Sequence, residues 1–182
     1  MAIRVGRALL VAVLATSACG ITSPPRGDEI RLSGEEDAAE LCLPGGDDIA
    51  DMSFGMETVR VTGDVPVELV AVHLVEPQDF ELVQAYVAPE RVRGSFGGLT
   101  GWPGQGVSRQ TLDALQPIPG AVLPPAQDLP EDERRPGLVL HLRGAAGARF
   151  EGFTVDYRLE GSDKVLRTDR SHQRMSVGDC GG

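Results

Sequence analysis

The chain has 182 residues, with 27 aspartates and glutamates against 17 arginines and lysines, and a formal net charge of -10. An acidic balance of this size lacks the basic footprint that phosphate backbones require, so no nucleic-acid partner is expected. The length suits one domain with a full hydrophobic core.

The first stretch sets the compartment. Arg4 and Arg7 form a basic segment, residues 8–14 an apolar run, and Thr16-Ser17-Ala18-Cys19 closes it with small residues and a cysteine. The run is too short to span a bilayer as a helix, which takes about 20 apolar residues. The pattern resembles a bacterial lipoprotein signal, with Thr16 where such signals usually carry an aliphatic residue. That resemblance implies removal of residues 1–18, acylation of the Cys19 sulfur, and a mature chain held by a lipid on the extracytoplasmic face of the cell membrane.

Three cysteines leave an odd one in an exported protein, and lipidation of Cys19 removes it from the count. Cys42 and Cys180 then remain near the two ends of the folded region, in a compartment where a disulfide persists. A bridge between them closes a long loop, for which chain entropy gives roughly 4 to 5 kcal/mol.

Residues 19–41 are rich in Pro, Gly, Ser and acid, and read as a solvated, disordered tether. Extended, such a segment reaches about 70 Å. Asp47, Asp48 and Asp51 follow without the alternating spacing of a calcium loop, and read as a charged solvated loop. The domain is expected over residues 42–182.

From Glu57 the pattern is strand and turn. Val59 and Val61 alternate with Arg60 and Thr62, residues 66–75 and 80–87 are apolar and β-branched runs joined by a turn, and both faces of these two carry apolar side chains. That implies a sheet partly covered on its outer side. Residues 91–136 are dense in Gly and Pro, which excludes a central strand and leaves either a functional segment or a long crossover between sheets. Leu138, Leu140 and Leu142 then alternate with Val139, His141 and Arg143. Phe153, Val155, Tyr157 and Leu159 form the clearest strand, turning at 160–163 into residues 165–168, and a last strand covers about residues 173–177.

About seven short strands with little helical periodicity predict an all-β, immunoglobulin-like β-sandwich. The strands at 59–87, 138–142 and 153–168 together resemble small immunoglobulin-like lipoproteins of GC-rich Gram-positive bacteria. That resemblance lends no functional residues.

Candidate chemistry is sparse. Neither Gly-x-Ser-x-Gly nor Ser-x-x-Lys occurs, and residues 94–106 lack the lysine and following helix of a phosphate loop. Met52, Met56, His172 and Met175 are soft enough for a copper site, but their spacing matches no known ligand set, and methionines also serve as gap-fillers. No metal or other cofactor is therefore expected. His73 reads as partly buried and satisfied, and His141 as solvated. Trp102 lies between Gly101 and Pro103 in a glycine-rich segment, so a partner contact through Trp102, Phe96 and Leu99 is expected, against the alternative that Trp102 folds back onto the core. The expected function is a non-catalytic binding or interaction module of the cell envelope, with an unidentified envelope or extracellular protein as partner. A copper carrier and a structural envelope component are the alternatives.

Overall fold

The computed structural model describes residues 23–33, 38–46, 48–178 and 180; Cys19 and the signal segment 1–18 lie outside these residues. In chain order the elements are β1 (Ile30–Leu32), β2 (Glu40–Leu43), β3 (Ala50–Val61), β4 (Val67–Leu74), β5 (Glu81–Ala88), α1 (Glu90–Arg93), β6 (Leu99–Thr100), α2 (Arg109–Asp113), β7 (Gln116–Ile118), β8 (Val122–Leu123), β9 (Gly137–Gly144), β10 (Arg149–Phe150), β11 (Phe153–Leu159), β12 (Val165–Arg167) and β13 (Arg174–Val177).

One sheet runs β1-β3-β9-β5 and the facing sheet β12-β11-β4. This is the A-B-E-D and G-F-C order of a constant-type immunoglobulin sandwich. The expected fold class is therefore present, with β7 added at the edge of the first sheet, β8 at the edge of the second, and β10-β13-β2 as a third small sheet. The 91–136 segment does cross between sheets, since β7 pairs β5 and β8 pairs β4.

Alternation dictates which side chains meet between the layers. Leu138, Leu140 and Leu142 of β9 face Phe153, Val155 and Tyr157 of β11 across a core that also holds Phe54, Leu69 and Phe150. All of these side chains are buried. At about 25 cal/mol per Å² of apolar surface, such rows supply the main drive for the two sheets to stack. Phe54 meets Phe150 and Phe153 edge-on at 5.7 and 6.2 Å, the arrangement aromatic quadrupoles favour.

The expected tether is corrected over most of its described length. Ile30 and Leu32 are 1% and 2% exposed on β1, which pairs β3, so the sandwich reaches back to Pro25. Pro25 and Gly27 bond to Arg167 of β12, and the Tyr157 hydroxyl donates to the Glu29 carboxylate. Glu40–Leu43 forms a strand parallel to β13. Cys42 and Cys180 are joined by a disulfide that ties β2 to the chain after β13.

The loop expected around Asp51 is likewise a strand. β3 begins at Ala50 and is interrupted by a register shift between Phe54 and Glu57. Met52 and Phe54 point inward before it, and Glu57, Val59 and Val61 after it. Glu57 is buried there, accepting from the hydroxyls of Ser33 and Ser171. It thereby links the end of β1 to the segment before β13.

Candidate functional site

The outer face of the first sheet carries a second, smaller core. Ala88 and Val139 lie on it, and the segment after β5 folds back over them with Phe96 fully buried and Val92, Trp102, Val107, Leu112 and Leu115 packed around. Ser108 caps α2 by accepting from the Thr111 amide at 3.1 Å, which fixes the return of the chain toward β7. The cover comes close because Gly55 has no side chain: a Cβ there would stand 2.4 Å from the Phe96 carbonyl oxygen.

At the margin of this cover the side chains become polar. Trp102, half-buried, stacks on His141 with ring centroids 4.5 Å apart and planes at 9°. It also stacks with Tyr86 at 5.4 Å and Phe96 at 6.1 Å. His141 Nε2 lies 2.9 Å from Asp51 Oδ1, and Arg143 Nε lies 3.4 Å from the same oxygen. Arg143 Nη1 is 3.4 Å from a Glu81 oxygen. Cross-strand register builds this row, because Asp51 pairs with Arg143 on β9 and Arg143 with Glu81 on β5. The hydrogen bond from His141, aided by Arg143, holds the Asp51 carboxyl below the usual carboxylate range.

The geometry does not assemble a hydrolase. Ser53 stands opposite His141 in register, with Asp51 two residues away, so all three residue types of a triad share one face. Yet Ser53 is fully buried and its hydroxyl is directed at the Gly97 carbonyl at 3.5 Å, while His141 Nε2 is occupied by Asp51. A nucleophile needs hydrogen-bond contact with its base and a path for substrate. What the row does offer is fixed donors and acceptors beside a braced aromatic.

Of the residues singled out by sequence, Trp102 and Leu99 are partly exposed at this margin and Phe96 is wholly inside it. His141 is corrected from solvated to 13% exposed beneath Trp102. His73 is the more open histidine, 46% exposed, with Nε2 at 2.8 Å from Asp156. Met52 and Met175 are buried in the main core, whereas Met56 and His172 are exposed, so the four soft side chains share no surface. Among the described residues no group of three or more His, Cys, Asp or Glu is placed to hold a metal ion. Glu81, Tyr86 and Arg143 carry no site signal in sequence because each lies on an ordinary polar or mixed strand face, Asp51 reads there only as part of a charged loop, and only cross-strand register joins them.

No known family model matches the chain, and no curated protein matches it. Its function therefore rests on the arrangement of its own residues.

Proposed function

We propose that the protein is a lipid-anchored, extracytoplasmic binding module without catalysis of its own, which engages a protein of the cell envelope through residues 94–106 and the adjoining Asp51–Arg143–Glu81 row. The observation that carries this reading is Trp102, held by three stacked rings on a rigid sheet while the charged row beside it stays about half exposed. Binding surfaces concentrate energy in a few pre-ordered aromatic and arginine side chains ringed by polar groups. Both are supplied here without ordering a loop on contact. The signal-like residues 1–18 and Cys19 supply the address.

The test is capture of a defined partner from an envelope extract by the full-length protein, compared with Arg143→Glu and Trp102→Ala. A partner kept by wild type and by an Arg149→Glu control, and lost by both site variants, supports the reading. A partner held equally by all four proteins, or no saturable partner at all, overturns it. Arg143 is exposed, so its variant remains informative even where Trp102→Ala loosens the cover.

A further inference from the structure

We infer that the end of the sandwich formed by the turns 62–66 and 160–164 rests on the phosphodiester headgroup layer of the bilayer, with the 94–106 segment turned away from it. This rests on lipidation of Cys19 as proposed above, and adds which surface the anchor presses against lipid.

The direction of the first paired residues decides the end. Arg26 is bridged to Arg167 in parallel, with Arg167 N bonded to the Pro25 carbonyl at 2.9 Å and Gly27 N to the Arg167 carbonyl at 3.0 Å. β12 leaves the 160–164 turn at Val165, so a segment running parallel to it arrives from the side of that turn. An Arg26–Asp169 ion pair and the bond from Thr62 N to the Glu29 carbonyl at 2.8 Å hold the segment there. Pro25 is the sixth residue after Cys19. Even fully extended, that leash reaches only about 20 Å.

The surface at this end suits a headgroup layer. Val65 and Val122 are 41% and 54% exposed, and Val122 pairs with Glu68 at the start of β4. A cleft of about 610 Å³, reached by Arg60 near the end of β3, sets Arg60, Arg134 and Arg135 against Glu90, Glu131 and Asp132. The charges of the cleft balance, whereas the turns themselves carry Asp64, Glu160 and Asp163 against Lys164, so the contact is set by the short leash and the cleft arginines and not by net charge. Among the described residues none of the three guanidinium groups is in a side-chain ion pair; Arg134 Nε donates to the Leu129 carbonyl at 2.9 Å, and the remaining N–H donors are left to phosphate oxygens. β3 spans about 40 Å between this end and the opposite one, where Ala50 pairs with Gly144 and the Asp51–Arg143–Glu81 row lies.

The experiment uses the full-length protein purified with its acyl chain and reconstituted into vesicles whose phospholipids carry a headgroup spin label. A fluorophore is attached at Asp163→Cys in one variant and at Ala146→Cys in the other, the native disulfide leaving only the new thiol to react. The orientation requires strong quenching at position 163 and little at 146. Equal quenching, or more at 146, on protein that carries the acyl mass and floats with the vesicles overturns the orientation and leaves the anchor standing. Protein that lacks the acyl mass overturns both.

Discussion

The indole of Trp102 and the imidazole of His141 lie 4.5 Å apart and 9° from parallel, although one comes from the glycine-rich segment and the other from the middle of β9. Asp51 fixes the imidazole through Nε2, so a carboxylate on β3 orients a ring on β9 that in turn seats a ring from the cover. Such a stack is worth about 0.5–1.5 kcal/mol beyond its buried area. His141→Ala is expected to cost about 1–2 kcal/mol by this measure together with the lost packing. It should also shift the single tryptophan's emission to the red and open it to iodide. Unchanged emission in the variant would show that His141 does not seat the indole.

Gly55 sets how closely the cover approaches β3. Adding a methyl there meets backbone, with the Phe96 carbonyl oxygen at 2.4 Å and its carbonyl carbon at 2.9 Å, and backbone cannot swing aside as a long side chain does. Gly55→Ala should therefore destabilise by about 1–3 kcal/mol, the usual range for forced overpacking. The strain falls on the cover, so the far-ultraviolet spectrum of the sandwich should stay native while amides of residues 94–106 exchange faster. Exchange unchanged in that segment would mean that the close approach is not what holds it.

The strands that sequence placed well carry an unbroken apolar face or a continuous apolar run: residues 137–144 and 153–159 alternate, and residues 67–74 read as a strand because both faces are apolar, although their register shifts opposite Asp156 and Tyr157. The start of β3 was hidden by its own bulge. Met52 and Phe54 are even-numbered inward residues, Val59 and Val61 odd-numbered ones, so a period-2 pattern searched across Glu57 cancels itself. β1 was hidden by length, since Ile30-Arg31-Leu32 is a single alternation inside a polar segment. The site was less legible still, because His141, Asp51 and Trp102 are brought together by register and by a cover whose path sequence periodicity does not encode.

The disulfide between Cys42 and Cys180 joins positions 138 residues apart and pins the parallel β2–β13 pair that lies outside the seven-strand sandwich. Its loss in Cys42→Ala/Cys180→Ala should lower the unfolding free energy by about 2–5 kcal/mol, with a lower urea midpoint. The sandwich strands do not depend on the β2 pairing and should persist, whereas amides of residues 40–43 should lose protection. Two free thiols in the mass of the unreduced wild-type protein would contradict the bridge.

Asp156 gives the fold a defined acid sensitivity. Its carboxylate lies on the outer face of the second sheet, receiving Arg167 Nε at 2.6 Å and Nη2 at 2.9 Å together with His73 Nε2 at 2.8 Å, and its side chain is 9% exposed. Burial by itself would raise the pKa, but the bonds from Arg167 and His73 outweigh it and hold the carboxyl below its usual range. Arg167 is shifted in the matching direction, upward, by the same Asp156 hydrogen bond. The folded pKa lies below the unfolded value of about 3.9, so the folded state binds fewer protons there and is favoured above that pH. The contribution is present in full at neutral pH and is lost as pH falls from about 4 through the folded pKa. Arg167 is 26% exposed, which places the pair between a surface ion pair and a buried one. Asp156→Asn should accordingly cost about 1–3 kcal/mol at neutral pH. The decisive measurement is urea unfolding of wild type and Asp156→Asn at pH 7 and at pH 2.5: the difference between them should shrink markedly at the lower pH. A difference of equal size at both would mean that Asp156 acts through its shape and neutral hydrogen bonds, and that its charge does not stabilise the sheet.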